Sequence, residues 1–156
     1  MHTVELLPDE QLEAGVRHLW SLLAAAGLPS LATHPHPTNR PHLTMITAES
    51  LQGLSPLRLP VAAELGRVRI LGRALVREVT PTAELRALQT AIWTSLTAAN
   101  PWPPPPDFVP HVSLALKITE TAHDEALHLL ADLPPARGSF VAARSYNSQT
   151  RTVTEL

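Results

Sequence analysis

One six-residue pattern occurs twice in this chain: Pro41-His42-Leu43-Thr44-Met45-Ile46 and Pro110-His111-Val112-Ser113-Leu114-Ala115. Each copy reads Pro-His-apolar-hydroxyl-apolar-apolar, and the two histidines lie 69 positions apart (111 − 42). In an extended strand, successive side chains point to opposite faces. The pattern therefore predicts two strands. On one, His42 and Thr44 share a face with Leu43 and Met45 behind; on the other, His111 and Ser113 lie over Val112 and Leu114. Each strand must bury its apolar face while keeping an imidazole and a hydroxyl side by side. Two such strands predict two halves of one polar site.

The surroundings of the two copies follow a common order. Val4 to Leu7 reads as a strand, and Pro8-Asp9-Glu10-Gln11 as a helix start with Pro near the first helical position and acids in the first turn. Leu12, Val16, Leu19, Leu22 and Leu23 then recur at helical spacing, and Gly27-Leu28-Pro29 ends that helix. After the first motif strand a short helix is expected around Ala48 to Leu54. A strand follows over Leu59 to Leu65, turned by Gly66. Arg67 to Val79 alternates apolar residues with Arg67, Arg69, Arg73 and Arg77, which suits a long strand or bent hairpin with one wet face. Thr80 is the expected cap of a second helix, with Pro81 at its first position and a stripe of Leu85, Leu88, Ile92 and Leu96. Beyond the second motif, Thr121 to Ala131 reads as a helix, and Ser139 to Ala143 and Thr150 to Leu156 as closing strands.

These elements form a pseudo-repeat, roughly residues 1–65 and 80–150, within a single bilobal domain spanning 1–156. The expected class is α+β, with antiparallel strands lining a central cleft between two similar lobes and helices outside.

Composition narrows the function. A hydrophobic fraction of 44% and a charged fraction of 17% suit a soluble globular protein. With no cysteine there is no disulfide framework, thiolate nucleophile or Cys-type zinc site. A net charge of −2 argues against duplex DNA, whose binding neutralises many phosphates. It leaves room for a small anion held by a few groups. Met1 to Glu5 has no basic segment leading into an apolar run, and no stretch approaches the roughly 18 apolar residues of a membrane span. A cytoplasmic monomer is expected, with no membrane partner.

Two histidines near neutrality divide acid and base work. The neutral imidazole takes a proton from an attacking water or hydroxyl, and the protonated one gives a proton to a leaving oxygen. Thr44 and Ser113 supply hydroxyls that suit the non-bridging oxygens of a phosphoryl group. No metal or other cofactor is required.

On these residues the chain resembles the 2H phosphoesterase superfamily, and within it the 2′-5′ RNA ligase-like proteins, also called RNA 2′,3′-cyclic phosphodiesterases. The resemblance covers most of the chain. It implies a bilobal α+β fold and metal-free hydrolysis of a 2′,3′-cyclic or 2′-5′ phosphodiester in a small nucleotide or RNA end. It also implies that His42 and His111 are the acid/base pair, with Thr44 and Ser113 binding phosphate. Many members carry an Arg shortly after the second motif; here Lys117 follows Leu116, a point charge without the guanidinium fork.

Further candidates are secondary. Arg40, two before His42, points the same way in an extended run and is either a phosphate contact or a solvated loop arginine. Trp102 and Phe108, in the loop before the second motif, stack on a nucleobase or pack on the proline cluster, and Tyr146 lies at an expected cleft edge. His34-Pro35-His36 with His42 forms an alternative metal site, disfavoured because no acid lies between them. A non-catalytic nucleotide or RNA-end binding module with the same cleft and a purely structural or partner-binding α+β domain are the further alternatives.

Overall fold

The computed structural model describes residues 1–97 and 100–156. Among these residues, seven strands and three α-helices run in the order β1 (His2–Pro8), α1 (Glu10–Ala25), β2 (Leu43–Ala48), β3 (Val61–Leu71), β4 (Ala74–Val79), α2 (Ala83–Ser95), β5 (His111–Ala115), α3 (Glu120–Leu129), β6 (Ala136–Asn147) and β7 (Thr152–Glu155). The succession strand-helix-strand-strand occurs twice, as β1-α1-β2-β3 and as β4-α2-β5-β6, with α3 inserted in the second.

All strand pairings are antiparallel, in the order β1-β2-β5-β4-β3-β6-β7. β1 also pairs with β6, from His2 opposite Asn147 to Pro8 opposite Phe140. Six strands therefore close on themselves, and β7 hangs from the end of β6. β6 serves three neighbours because it is long: Ala136 to Phe140 pairs with β3, Phe140 to Asn147 with β1, and Arg144 to Asn147 with β7. Closure leaves few free strand edges. The class is α+β, as the sequence predicts.

The helices cover the apolar face of this sheet. Leu12, Val16, Leu19 and Leu23 of α1 and Leu85, Leu88 and Ile92 of α2 are buried with Leu43, Met45, Val112, Leu114 and Phe140 in one continuous core. Both helices start on a side-chain cap. Asp9 Oδ1 accepts from the Leu12 amide at 2.8 Å, and Thr82 Oγ1 from the Leu85 amide at 3.1 Å. The caps, these leucines and Trp20 with Trp93 are all 73 positions apart (82 − 9, 85 − 12, 93 − 20), so the repeat extends into the helices.

Several boundaries differ from expectation. Pro8 ends β1 and Asp9 caps α1, while Thr82, not Thr80, caps α2. No helix forms over Ala48 to Leu54; that stretch is a turn leading into an extended connection. β3 passes through Gly66, where its register with β4 shifts, and turns instead after Leu71, with Gly72 at φ 60°. Arg77 is not on a wet face. It lies buried, donating from Nε to the Gly66 carbonyl at 2.7 Å and from Nη2 to that of Pro134 at 2.8 Å. That burial holds its guanidinium below the ordinary arginine value. Among the described residues, no helix is long and apolar enough to cross a membrane.

Candidate active site

The two motif strands are neighbours. β2 and β5 are joined by a single residue pair, Leu43 opposite Val112, and both side chains are buried in the core. Alternation along each strand then turns His42, Thr44, His111 and Ser113 to the other face, where all four are partly exposed. The residue numbers of an antiparallel pair have a constant sum, here 155 (43 + 112). Continuing that register by one residue sets His42 opposite Ser113 (42 + 113) and Thr44 opposite His111 (44 + 111). The four groups thus form a square, with the imidazoles on one diagonal and the hydroxyls on the other. Such diagonal neighbours lie about 7–8 Å apart along the backbone. That spacing lets two rings flank one phosphoryl group.

The two imidazoles are held in the same way. His42 Nδ1–H donates to the Arg40 carbonyl and His111 Nδ1–H to the Val109 carbonyl, each at 2.7 Å and each two residues upstream. A carbonyl can only accept, so the partner fixes the tautomer and leaves each Nε2 free for proton transfer. The proline between carbonyl and histidine (Pro41, Pro110) restricts its own φ and favours extended backbone before it. Beneath β5, Trp20 Nε1 of α1 donates to the Ser113 carbonyl at 3.1 Å and anchors the second motif to the helix layer.

Beyond the square, the environment is asymmetric. Next to His42 opens a recess of about 270 Å³, whose walls include Ser113, Tyr146, His34, His36 and Arg151. At its base lies Glu5, 3% exposed. Glu5 is opposite Thr44 in the β1–β2 ladder and opposite Arg144 in the β1–β6 ladder. Its Oε1 accepts from Arg144 Nε at 2.8 Å, and its Oε2 accepts from Thr3 Oγ1 at 2.8 Å and lies 3.8 Å from His42 Nε2. Arg144, 8% exposed, also donates from Nη2 to the Thr38 carbonyl at 2.8 Å. On the other flank, His111 is opposite Glu78 of β4, whose Oε1 lies 3.2 Å from Arg67 Nε and 2.8 Å from Arg69 Nε.

The secondary candidates separate. Tyr146 lines the recess with His42. Arg40 turns its guanidinium to Glu13, with Nε 2.6 Å from Oε1, and serves the site through its carbonyl. Trp102 is 61% exposed and is tied by its backbone to Thr47, so its indole stands in solvent. Phe108 is 5% exposed and packs in the core, which favours the packing reading over the base-stacking one. Lys117 lines a separate depression with Ser30, Thr33 and His34. His34, His36 and His42 share the recess, yet among the described residues no three His, Asp or Glu side chains converge closely enough to hold a metal ion.

Glu5 and Arg144 are absent from the sequence-based site. The available signal was a lone acid in the apolar run Val4-Glu5-Leu6-Leu7 and a lone arginine after Val141-Ala142-Ala143. Nothing local says that residues 139 positions apart meet.

No curated protein sequence matches the chain significantly. The family model described as the 2′-5′ RNA ligase superfamily matches residues 7–144, a span that holds both motifs, Arg144 and all three helices. This superfamily is generally enzymatic and falls within the 2H phosphoesterases. With that match over most of its length, and with the paired histidine strands side by side in one sheet, the chain belongs to the 2′-5′ RNA ligase superfamily.

Proposed function

We propose that the protein is a metal-independent phosphodiesterase that hydrolyses a 2′,3′-cyclic or 2′-5′ phosphodiester in a small nucleotide or an RNA end, acting as a cytoplasmic monomer. The observation that carries this reading is the Leu43–Val112 pair, whose register sets the two motif histidines on one diagonal, with Nδ1 of both rings tied to backbone carbonyls. One Nε2 removes a proton from water as its oxygen bonds to phosphorus. The other delivers a proton to the ribose oxygen as its bond to phosphorus breaks. Thr44 and Ser113 donate to the non-bridging oxygens, where charge accumulates in the transition state. Each proton transfer contributes typically ~10²–10⁴-fold. The same groups run backwards with a 5′-hydroxyl nucleophile would ligate.

A panel of 2′,3′-cyclic nucleotides, ADP-ribose 1″,2″-cyclic phosphate and 2′-5′-linked oligonucleotides, incubated in chelator, tests the reading. Turnover of at least one to a phosphomonoester or free hydroxyl end is expected. Binding of a cyclic nucleotide without conversion would make the protein a binding module instead.

A further inference from the structure

The square is symmetric in its residue types, but its two imidazoles have different company. His42 Nε2 faces the carboxylate of Glu5 at 3.8 Å. Among the described residues, His111 has no carboxylate within 4.0 Å of a ring nitrogen. Glu5 is held from two further sides, by Arg144 at Oε1 and by Thr3 at Oε2. A buried carboxylate is costly to keep unless it is paired and hydrogen-bonded, and here both conditions are met. The acid is thus fixed in place, with one oxygen aimed at the nitrogen that handles protons.

We propose that Glu5 is a positioning residue that acts through His42, holding the ring so that its Nε2 proton is the one delivered to the departing oxygen. This rests on the hydrolytic reading above. At 3.8 Å Glu5 Oε2 lies beyond hydrogen-bonding distance of Nε2, so the carboxylate holds the ring from one side by charge and leaves the Nε2–H to the departing oxygen. The other charged or titratable groups around the recess are Arg144 and Tyr146 from β6, Arg151 from the turn after it, and His34 and His36 from the loop before β2. Arg144 is engaged by Glu5 and by the Thr38 carbonyl, so its charge fixes the acid.

The step balances. Water oxygen bonds to phosphorus and gives its proton to His111 Nε2. The bond from phosphorus to one ribose oxygen breaks, and that oxygen takes the proton from His42 Nε2. A cyclic phosphodiester and one water become a phosphomonoester with a free ribose hydroxyl. Exchange with solvent returns a proton to His42 and removes one from His111.

A substrate whose leaving group needs no proton separates the roles. Rates are compared on a 2′,3′-cyclic nucleotide, which expels an alkoxide, and on a nucleoside 4-nitrophenyl phosphodiester, which expels a phenolate. Glu5→Gln and His42→Ala are expected to lose at least about 30-fold more activity on the cyclic ester than on the nitrophenyl ester, within the ~10²–10⁴-fold span of general acid catalysis. His111→Ala is expected to lose both activities alike. Because Glu5→Gln leaves Arg144 buried without its partner, the double variant Glu5→Gln/Arg144→Gln, which removes both charges, is measured beside it and is expected to show the same split. Equal losses on the two esters in both variants, no loss in either, or a split appearing in His111→Ala instead would overturn the proposal. Wild-type protein inactive on both esters would overturn the hydrolytic reading itself, and the proposal with it.

Discussion

Leu43 and Val112 are the one residue pair that joins the first motif strand to the second, and both are buried in the core. The pair does two jobs. It sets the register that places His42 across from Ser113 and Thr44 across from His111, and its side chains root that register in the helix-covered core. A slip of one residue would turn the polar groups of one strand into the core.

Leu43→Ala should therefore cost more than its volume suggests. A buried Leu→Ala change typically loses ~2–5 kcal/mol, and a loss in that range is expected in urea unfolding. Retained activity per folded molecule should also fall, because the cavity lies directly behind His42 and Thr44. Full activity with a loss under about 1 kcal/mol would show that neighbouring strands hold the register without this pair.

Gly138 of β6 lies against the cap of α1. A Cβ there would collide with Asp9 Oδ2 and come within 2.8 Å of Leu12 Cγ. Asp9 cannot retreat freely, because Oδ1 accepts from the Leu12 amide and Oδ2 from the Ser139 amide, both at 2.8 Å. Gly138→Ala is expected to lower stability by ~1–3 kcal/mol through overpacking, read as a lower Tm. An unchanged Tm would mean the strand end yields.

Glu64 gives a pH-dependent term. It is opposite Arg137 in the β3–β6 ladder, with Arg137 Nε donating to Oε2 at 3.0 Å, and this contact holds its carboxyl below the usual value of 4.5. A folded-state value below the unfolded one contributes stability that is present above about pH 4.5 and lost as the pH falls through the folded value. The stability gap between wild type and Glu64→Gln should therefore be open at pH 7 and close in acid. Because the pair is exposed, added salt should shrink it. A gap that widens on acidification would contradict the assignment.

Thr44 and Ser113 are expected to act on the chemical step. Thr44→Val and Ser113→Ala should each lower kcat by about 10²–10³-fold with little change in unfolding midpoint, as for removal of a donor that serves a developing charge. A rise in KM at constant kcat would make these hydroxyls uniform binding groups instead.

The motif strands were legible because period two and the preceding proline act within a few residues. Helix starts were legible in kind but slipped in position. Thr80 and Thr82 both flank Pro81, and only the amide that each hydroxyl can reach decides between them. The turn after Ala48 carries apolar residues at helix-like spacing, yet Leu51 and Leu54 pack back on the core individually. Arg77 alternates correctly for a wet face, but the backbone carbonyls of Leu65, Gly66 and Pro134 draw it inward. What the sequence could not carry is closure. The β1–β6 pairing that brings Glu5 to Arg144, and with it the asymmetry of the site, depends on the whole ring of strands.

Steady-state hydrolysis of a 2′,3′-cyclic nucleotide in the presence of chelator, by wild type, His42→Ala, His111→Ala and the double variant, tests the shared site most directly. Each single variant should lose about 10²–10⁴-fold while keeping its circular dichroism spectrum, and the double should fall little below the worse single, as groups acting as a unit do. Wild-type turnover in either single variant, or turnover that vanishes when chelator is added to wild type, would contradict a metal-free centre built from both imidazoles.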